Sequence, residues 1–374
     1  YQTTIGVIDG RGEIWNPKSL DRPRGFQDYP PTTQWPTASY AIDSFELPII
    51  PGTPPGIYAI FAEPFNVRTF VPLIAQANAQ HPIQRPADAI IGSLSVTRSA
   101  QVFSNDQLDI YNLKLDQALT PDLRLLGVNR DRDDVLSGDT VLLTLFWQAA
   151  QQPTQDYALK IELVDAHNQP ITTRGFPIGS AFYPTSNWNN GEQIIDLDRV
   201  RIPVGTTTGT YRWRMTILNQ FTANLGEVRV TAPDRSFQIP TIQKRVDQTF
   251  DKKLTVLGYK LQGQTSAGGQ LTLTLYWRAE ADMDLSYKVF VHLLDTNDQP
   301  RAQIDSIPVS GSRPTTSWQS GEILTDTYTL SLPNDLPAGE YHLAAGLYNE
   351  YDLKRLKLAN GDDSIVLQSI NFAP

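Results

Sequence analysis

The clause "YPTSNWNNGE" at 183–192 returns as "RPTTSWQSGE" at 313–322, and a looser form, "YPPTTQWPTA", stands at 29–38. Repetition on this scale constrains the fold more than any composition figure. A chain that writes one clause three times is built from one structural unit used three times. The anchors are Trp35, Trp188 and Trp318, each followed 23 residues later by a Tyr in a Gly-x-Tyr: Tyr58, Tyr211 and Tyr341. Upstream, "YALKIELVD" (157–165) and "YKVFVHLLD" (287–295) share a Tyr, seven intervening residues, and an Asp that precedes the Trp by 23. Trp147 and Trp277 precede that Tyr by ten, and "LRLLGV" (123–128) and "LTVLGY" (254–259) come before them. Two full units follow, at about 104–240 and 241–374.

Inside a unit the apolar period is two, the signature of a strand with one buried face. "LTLTLYW" (271–277) sets Leu271, Leu273, Leu275 and Trp277 against Thr272, Thr274 and Tyr276. "HNQP" and "TNDQP" fall where hairpin turns are needed, since Asn and Asp tolerate a left-handed backbone and Pro stops a strand. About seven short strands per unit, with a turn signal every eight to twelve residues, describe an all-β chain of tandem antiparallel sandwiches of immunoglobulin or fibronectin-III type. In such a fold the Trp clause is a corner where the chain crosses between sheets. Pro sets the bend, hydroxyls cap loose backbone groups and the indole plugs the end of the sandwich.

The first unit, 1–103, reads as partial. "YQTTIGVID" (1–9) carries the same frame, so Tyr1 corresponds to Tyr157 and Tyr287, but nothing corresponds to the "LLG…LFW" half. Its Trp clause comes three residues late, and an insertion at about 67–91, with a short helix expected near 70–80, belongs to this unit alone. The frame places Tyr1 inside a domain rather than at a natural beginning. The missing strands would carry about eight apolar side chains at roughly 1.5–3 kcal/mol each. Three covers are conceivable: upstream polypeptide, strands given by a neighbouring chain, or the insertion folded back. The match of Tyr1 to a strand start favours the first.

Composition narrows the function classes. The 374 residues are 19% charged and 40% apolar, with a net charge of −9. That is the balance of a folded chain, and no basic block offers itself to nucleic acid or an anionic membrane surface. No apolar run is long enough to span a bilayer, and the opening residues lack the basic and apolar regions of a signal peptide. Cysteine is absent, which removes disulfides, thiol catalysis and Cys-zinc sites together.

The pattern "YPTS-x-W-x-x-GE…D-x-Y-x-L-x-LP…LPAGEYHLAAGLYN", preceded by "LYWRA" and "Y-x-VFVHLLD", resembles a β-sandwich module found beyond the membrane part of large bacterial multi-pass proteins. Many of those look like glycosyltransferases of the protein-mannosyltransferase type. The resemblance covers 254–357 well, 124–220 moderately and 1–62 weakly, Trp35 being followed by Pro-Thr-Ala rather than Gly-Glu. It carries over no catalytic residue. It implies a place outside the cytoplasm and an accessory role, with any transferase chemistry in a part not present here.

Chemical motifs are sparse. Nucleophile elbows are absent, and His81, His167, His292 and His342 are scattered without metal spacing. "NRDRDD" (129–134) and "DTNDQ" (295–299) lack the Gly and Glu positions of an EF-hand loop. No catalytic residue, cofactor or metal is expected. The leading expectation is a non-enzymatic, extracytoplasmic scaffold, spacer or assembly module, part of a larger cell-surface or membrane-anchored protein. Its partner would be whatever completes the first sandwich. The alternative is carbohydrate binding to a cell-surface glycan, with Trp188 and Trp318 as stacking platforms flanked by Asn187, Asn189, Asn190, Glu192 and Glu322.

Overall fold

The computed structural model describes residues 2–15, 22–23, 34, 36, 46–65, 89–180, 182–263, 266–349 and 353–372. Among these residues there is no α-helix, and the sheets are built mainly of antiparallel pairs. Trp35, Tyr1 and the expected helix near 70–80 lie outside the described residues.

The chain falls into two compact units: Tyr1–Val135, Thr140–Arg201 and Gly209–Arg229 in one, Leu136–Asp139, Ile202–Thr208 and Val230–Pro374 in the other. The second unit holds the last sandwich. One sheet orders β16 (Lys244–Phe250), β17 (Leu254–Gly263), β18 (Gln270–Ala279) and β21 (Ile323–Ser331). The other orders β20 (Pro300–Ser306), β19 (Tyr287–Asp295), β22 (Gly339–Asn349) and β23 (Ile365–Phe372). Alternation places Leu271, Leu273, Leu275 and Trp277 of β18 opposite Val289, Val291 and Leu293 of β19 in one core, all buried. The opposed apolar faces supply the fold's main stabilisation.

The first unit repeats that plan and adds to it. β5 (Leu113–Ala118), β6 (Leu123–Arg130), β8 (Thr140–Ala149) and β13 (Gln193–Arg201) make one sheet in the order β13-β8-β6-β5. β7 (Asp134–Leu136), β9 (Ala158–Val164), β10 (Pro170–Pro177), β14 (Gly209–Ile217) and β15 (Phe221–Thr231) make the other, in the order β10-β9-β14-β15-β7. The short pair β11 (Gly179–Ser180) and β12 (Tyr183–Pro184) sits at the corner. Ahead of these lies a single sheet of β1 (Gln2–Ile8), β2 (Arg22–Pro23), β3 (Gly56–Phe65) and β4 (Ala89–Val96), in the order β2-β1-β3-β4. Its strands match β10-β9-β14-β15 in order, so among the described residues the first sandwich is one sheet without its opposite.

Its apolar face is nevertheless covered. Val7, Trp15 and Tyr58 share a core with Leu108, Ile110, Leu126, Phe146 and Ile195. Phe146 pairs with Ile195 across β8 and β13, on the side turned away from Leu145 and Trp147. The outer face of the neighbouring sandwich therefore covers the first sheet among the described residues. Most of the insertion at 67–91 lies outside the described residues, and the lone sheet is not a compact unit of its own.

Local hydrogen bonds repeat with the landmarks. Asp9 accepts the amides of Arg11 and Glu13 at 2.8 and 3.0 Å. Asp165 accepts those of His167 and Gln169, both at 2.8 Å. Asp295 accepts those of Asn297 and Gln299 at 2.8 and 3.0 Å. Each is an Asp-closed hairpin turn, which satisfies amides that no strand pairs. Tyr58 donates to Pro54 O at 2.7 Å and Tyr341 to Pro337 O at 2.9 Å, each four residues upstream, as a tyrosine corner does.

Candidate functional site

The Trp clause builds one loop twice. Pro184 and Pro314, with φ of −67° and −57°, lead into single 3-10 turns at Thr185–Asn187 and Thr315–Ser317. The Thr185 hydroxyl donates to Gln155 O and accepts the Tyr157 amide, both at 2.9 Å. The Thr315 hydroxyl does the same with Leu285 O and the Tyr287 amide, again at 2.9 Å. Each hydroxyl thus ties the corner to the tyrosine at the entry to the strand opposite. Gly191 and Gly321, with φ of +81° and +83°, turn the chain back toward its edge strand. Their amides donate to Ala149 O and Ala279 O, both at 2.8 Å.

Trp188 and Trp318 are wholly buried. Their indole N–H groups donate to Tyr183 O at 3.2 Å and Arg313 O at 3.0 Å. The Trp318 ring lies 6.4 Å from that of Trp277 inside the core. Neither ring presents a face to solvent, so neither can stack on a pyranose. The platform expectation is corrected on this point: the indole is the plug of the sandwich end, placed there because its large apolar area is worth most when buried. Asn187, Asn189 and Asn190 are exposed, whereas Glu192 and Glu322 are buried.

The two glutamates are occupied by their own chain. Glu192 accepts the Asn189 amide at 2.8 Å and the Tyr183 hydroxyl at 2.7 Å. Burial, reinforced by this carboxylate, pushes the Tyr183 hydroxyl above the ordinary tyrosine range. Glu322 accepts the Gln319 amide at 2.9 Å and the Arg313 guanidinium at 2.6 Å. It also pairs with Arg235, so two guanidiniums flank one buried carboxylate.

Arg235 brings in what the sequence reading missed. Beyond Glu322 it donates to Ser317 O at 2.9 Å, Ser137 Oγ at 3.0 Å and Val204 O at 2.7 Å, all within its own compact unit. In the other unit Arg98 donates to Asn187 O at 2.8 Å and lies 5.5 Å from the Tyr183 ring centre. Asn187 and Ser317 are the equivalent residues just before the tryptophans. The signal was present in the sequence as "RSAQV" at 98–102 and "RSFQI" at 235–239.

The loop carboxylates weighed for calcium are engaged elsewhere. Asp133 pairs with Arg130 at 2.6 Å, and Asp295 with Arg301 at 2.9 Å. Among the described residues no group of three or more His, Asp or Glu is placed to hold a metal ion.

No family model and no curated protein matches the chain. Among solved structures, the C-terminal domain of wzt is 17% identical, over 35% of this chain and 85% of that one, with a TM-score of 0.26. A glycosyl hydrolase family 2 member from Bacteroides cellulosilyticus is 10% identical, over 61% of this chain and 27% of that one, with a TM-score of 0.22. The chain is a β-sandwich protein by its own strand order and register, and these similarities add no function to it.

Proposed function

We propose that the chain is a non-enzymatic scaffold or spacer made of repeated β-sandwich modules, working outside the cytoplasm within a larger cell-surface or membrane-anchored protein. One observation carries the reading. The residues that recur from unit to unit are spent on the fold itself, with both indoles buried and both corner glutamates satisfied by neighbouring groups. The resemblance to modules beyond the membrane part of mannosyltransferase-like proteins supports the location. Any such chemistry would belong to another part of the parent protein.

The test has two arms. Protease added to intact cells of the source organism should digest the native chain, whereas protection until lysis would overturn the location. Titration against a panel of cell-wall glycans should give no saturable binding. Saturable binding abolished by Asn187→Ala, Asn189→Ala and Asn190→Ala together would replace the scaffold with a glycan-binding module that needs no stacking ring.

A further inference from the structure

Two linkers make the same contact with the sandwich that follows them. Arg98 and Arg235 each donate to the carbonyl of the residue before the corner tryptophan, at 2.8 and 2.9 Å. One residue on, the hydroxyls of Ser99 and Ser236 accept the amides of Gln101 and Gln238, at 3.1 and 3.4 Å, so both linkers turn alike after the arginine. A second pairing then seats each linker against the start of the edge strand. Phe103 N and O meet the Gln193 side chain at 2.6 and 3.0 Å, and Ser236 O accepts the Ile323 amide at 2.7 Å.

The electrostatics favour an arginine at this place. Glu322 is almost wholly removed from solvent, with its side chain 1% exposed and that of Arg235 11% exposed. A buried carboxylate needs a cation with several fixed donors, and a guanidinium can satisfy a carboxylate, a carbonyl and a hydroxyl from one planar group. An ammonium on a flexible stem cannot reach all four partners of Arg235 at once. At the Arg98 socket a tyrosine, Tyr183, replaces the second arginine and passes its hydroxyl to Glu192. The two sockets differ in chemistry but receive the same linker residue.

We infer that the Trp corner is a receptor for the Arg-Ser-x-Gln segment preceding each of the two full sandwiches, and that this contact sets where a linker lands on the next module. The clause is repeated because it does two jobs: its indole closes the core, and its outer carbonyl holds the linker arginine, joined at Arg235 by the corner glutamate. The inference concerns only how modules are joined, so it stands whether or not the chain lies outside the cytoplasm.

Chymotryptic cleavage after Phe237, which is 54% exposed in the second linker, reads the contact in the full chain. Cleavage at a locally opened site tracks the open population. Arg235→Ala and Glu322→Gln should each speed cleavage there at least tenfold while the strands stay resistant. The double variant should be no faster than the faster single, because both changes break one contact. Arg98→Ala should leave the Phe237 site unchanged and expose Phe103 instead. Should Arg235→Ala unfold the unit, Arg235→Lys keeps the charge without the fork and should still speed cleavage several-fold. Wild-type cleavage in Arg235→Lys, or additive effects in the double variant, would overturn the inference.

Discussion

At the scale of single residues, equivalent positions of the two full sandwiches solve one problem differently. Asp196 and Asp326 hold the same place on β13 and β21, pairing with Leu145 and Leu275. Each accepts a loop amide, Gly179 N at 3.0 Å and Val309 N at 2.8 Å. Burial pushes both carboxyls up, Asp196 to about 7. Two residues on, the last sandwich has Tyr328, whose hydroxyl donates to Asp326. The other has Asp198, a second buried carboxyl pushed well up by burial and by Asp196, with an oxygen that meets no donor among the described residues. The sign follows from linkage. A carboxyl whose folded value exceeds its unfolded one adds stability in full below the unfolded value, and that stability is lost as pH rises through the folded value. The first compact unit should therefore unfold at a lower temperature at pH 8 than at pH 5. Asp198→Asn should flatten that dependence and raise the midpoint at pH 8, as read by calorimetry. An unchanged slope would mean the pair is not the titrating group.

At the scale of elements, the glycines of "LRLLGV" and "LTVLGY" explain why those stretches recur. A Cβ on Gly127 would come within 2.5 Å of Ile110 Cγ2 and 2.6 Å of Leu113 O, and one on Gly258 within 2.2 Å of Lys244 O and 2.5 Å of Ile242 Cγ2. Ile110 and Ile242 precede the first strand of each full sandwich and cross the β6 and β17 bulges at these positions. Close packing leaves no slack for a methyl group there. Gly258→Ala should cost about 1–3 kcal/mol through overpacking, measured by urea unfolding. The alternation that predicted the strands also predicted these inner faces. It did not show that the outer face of β6, β8 and β13 was to be buried, since Phe146 and Leu126 read as unremarkable apolar residues on a nominally solvated side.

At the scale of the whole molecule, that outer face covers the first sheet, which has no opposite sheet among the described residues. Each large side chain in the shared cluster is worth roughly 1.5–3 kcal/mol when fully buried. Phe146→Asp places a charge among Val7, Tyr58 and Ile195. Amide exchange in β1 and β3 should then accelerate at least tenfold, while β17 and β18 stay protected. Equal acceleration in both regions would show that the first sheet is not held separately by this cluster.

Spacing alone determined the all-β strands and the landmark Trp, Tyr and Asp positions, because a two-residue period and recurring turn residues are local properties of a chain. It also placed the corner at Trp188 and Trp318. Only the tertiary structure decided that these rings point inward, since alternation tells which side of a strand a residue takes but not whether the sandwich end is closed. Arg98 and Arg235 stayed hidden for a related reason. A single cation in a loop has no period, and its meaning arises only where folding brings a buried carboxylate or a spare carbonyl to meet it. The cover of the first sheet was the least legible part, because it depends on two faces far apart in the chain whose fit exists nowhere but in three dimensions.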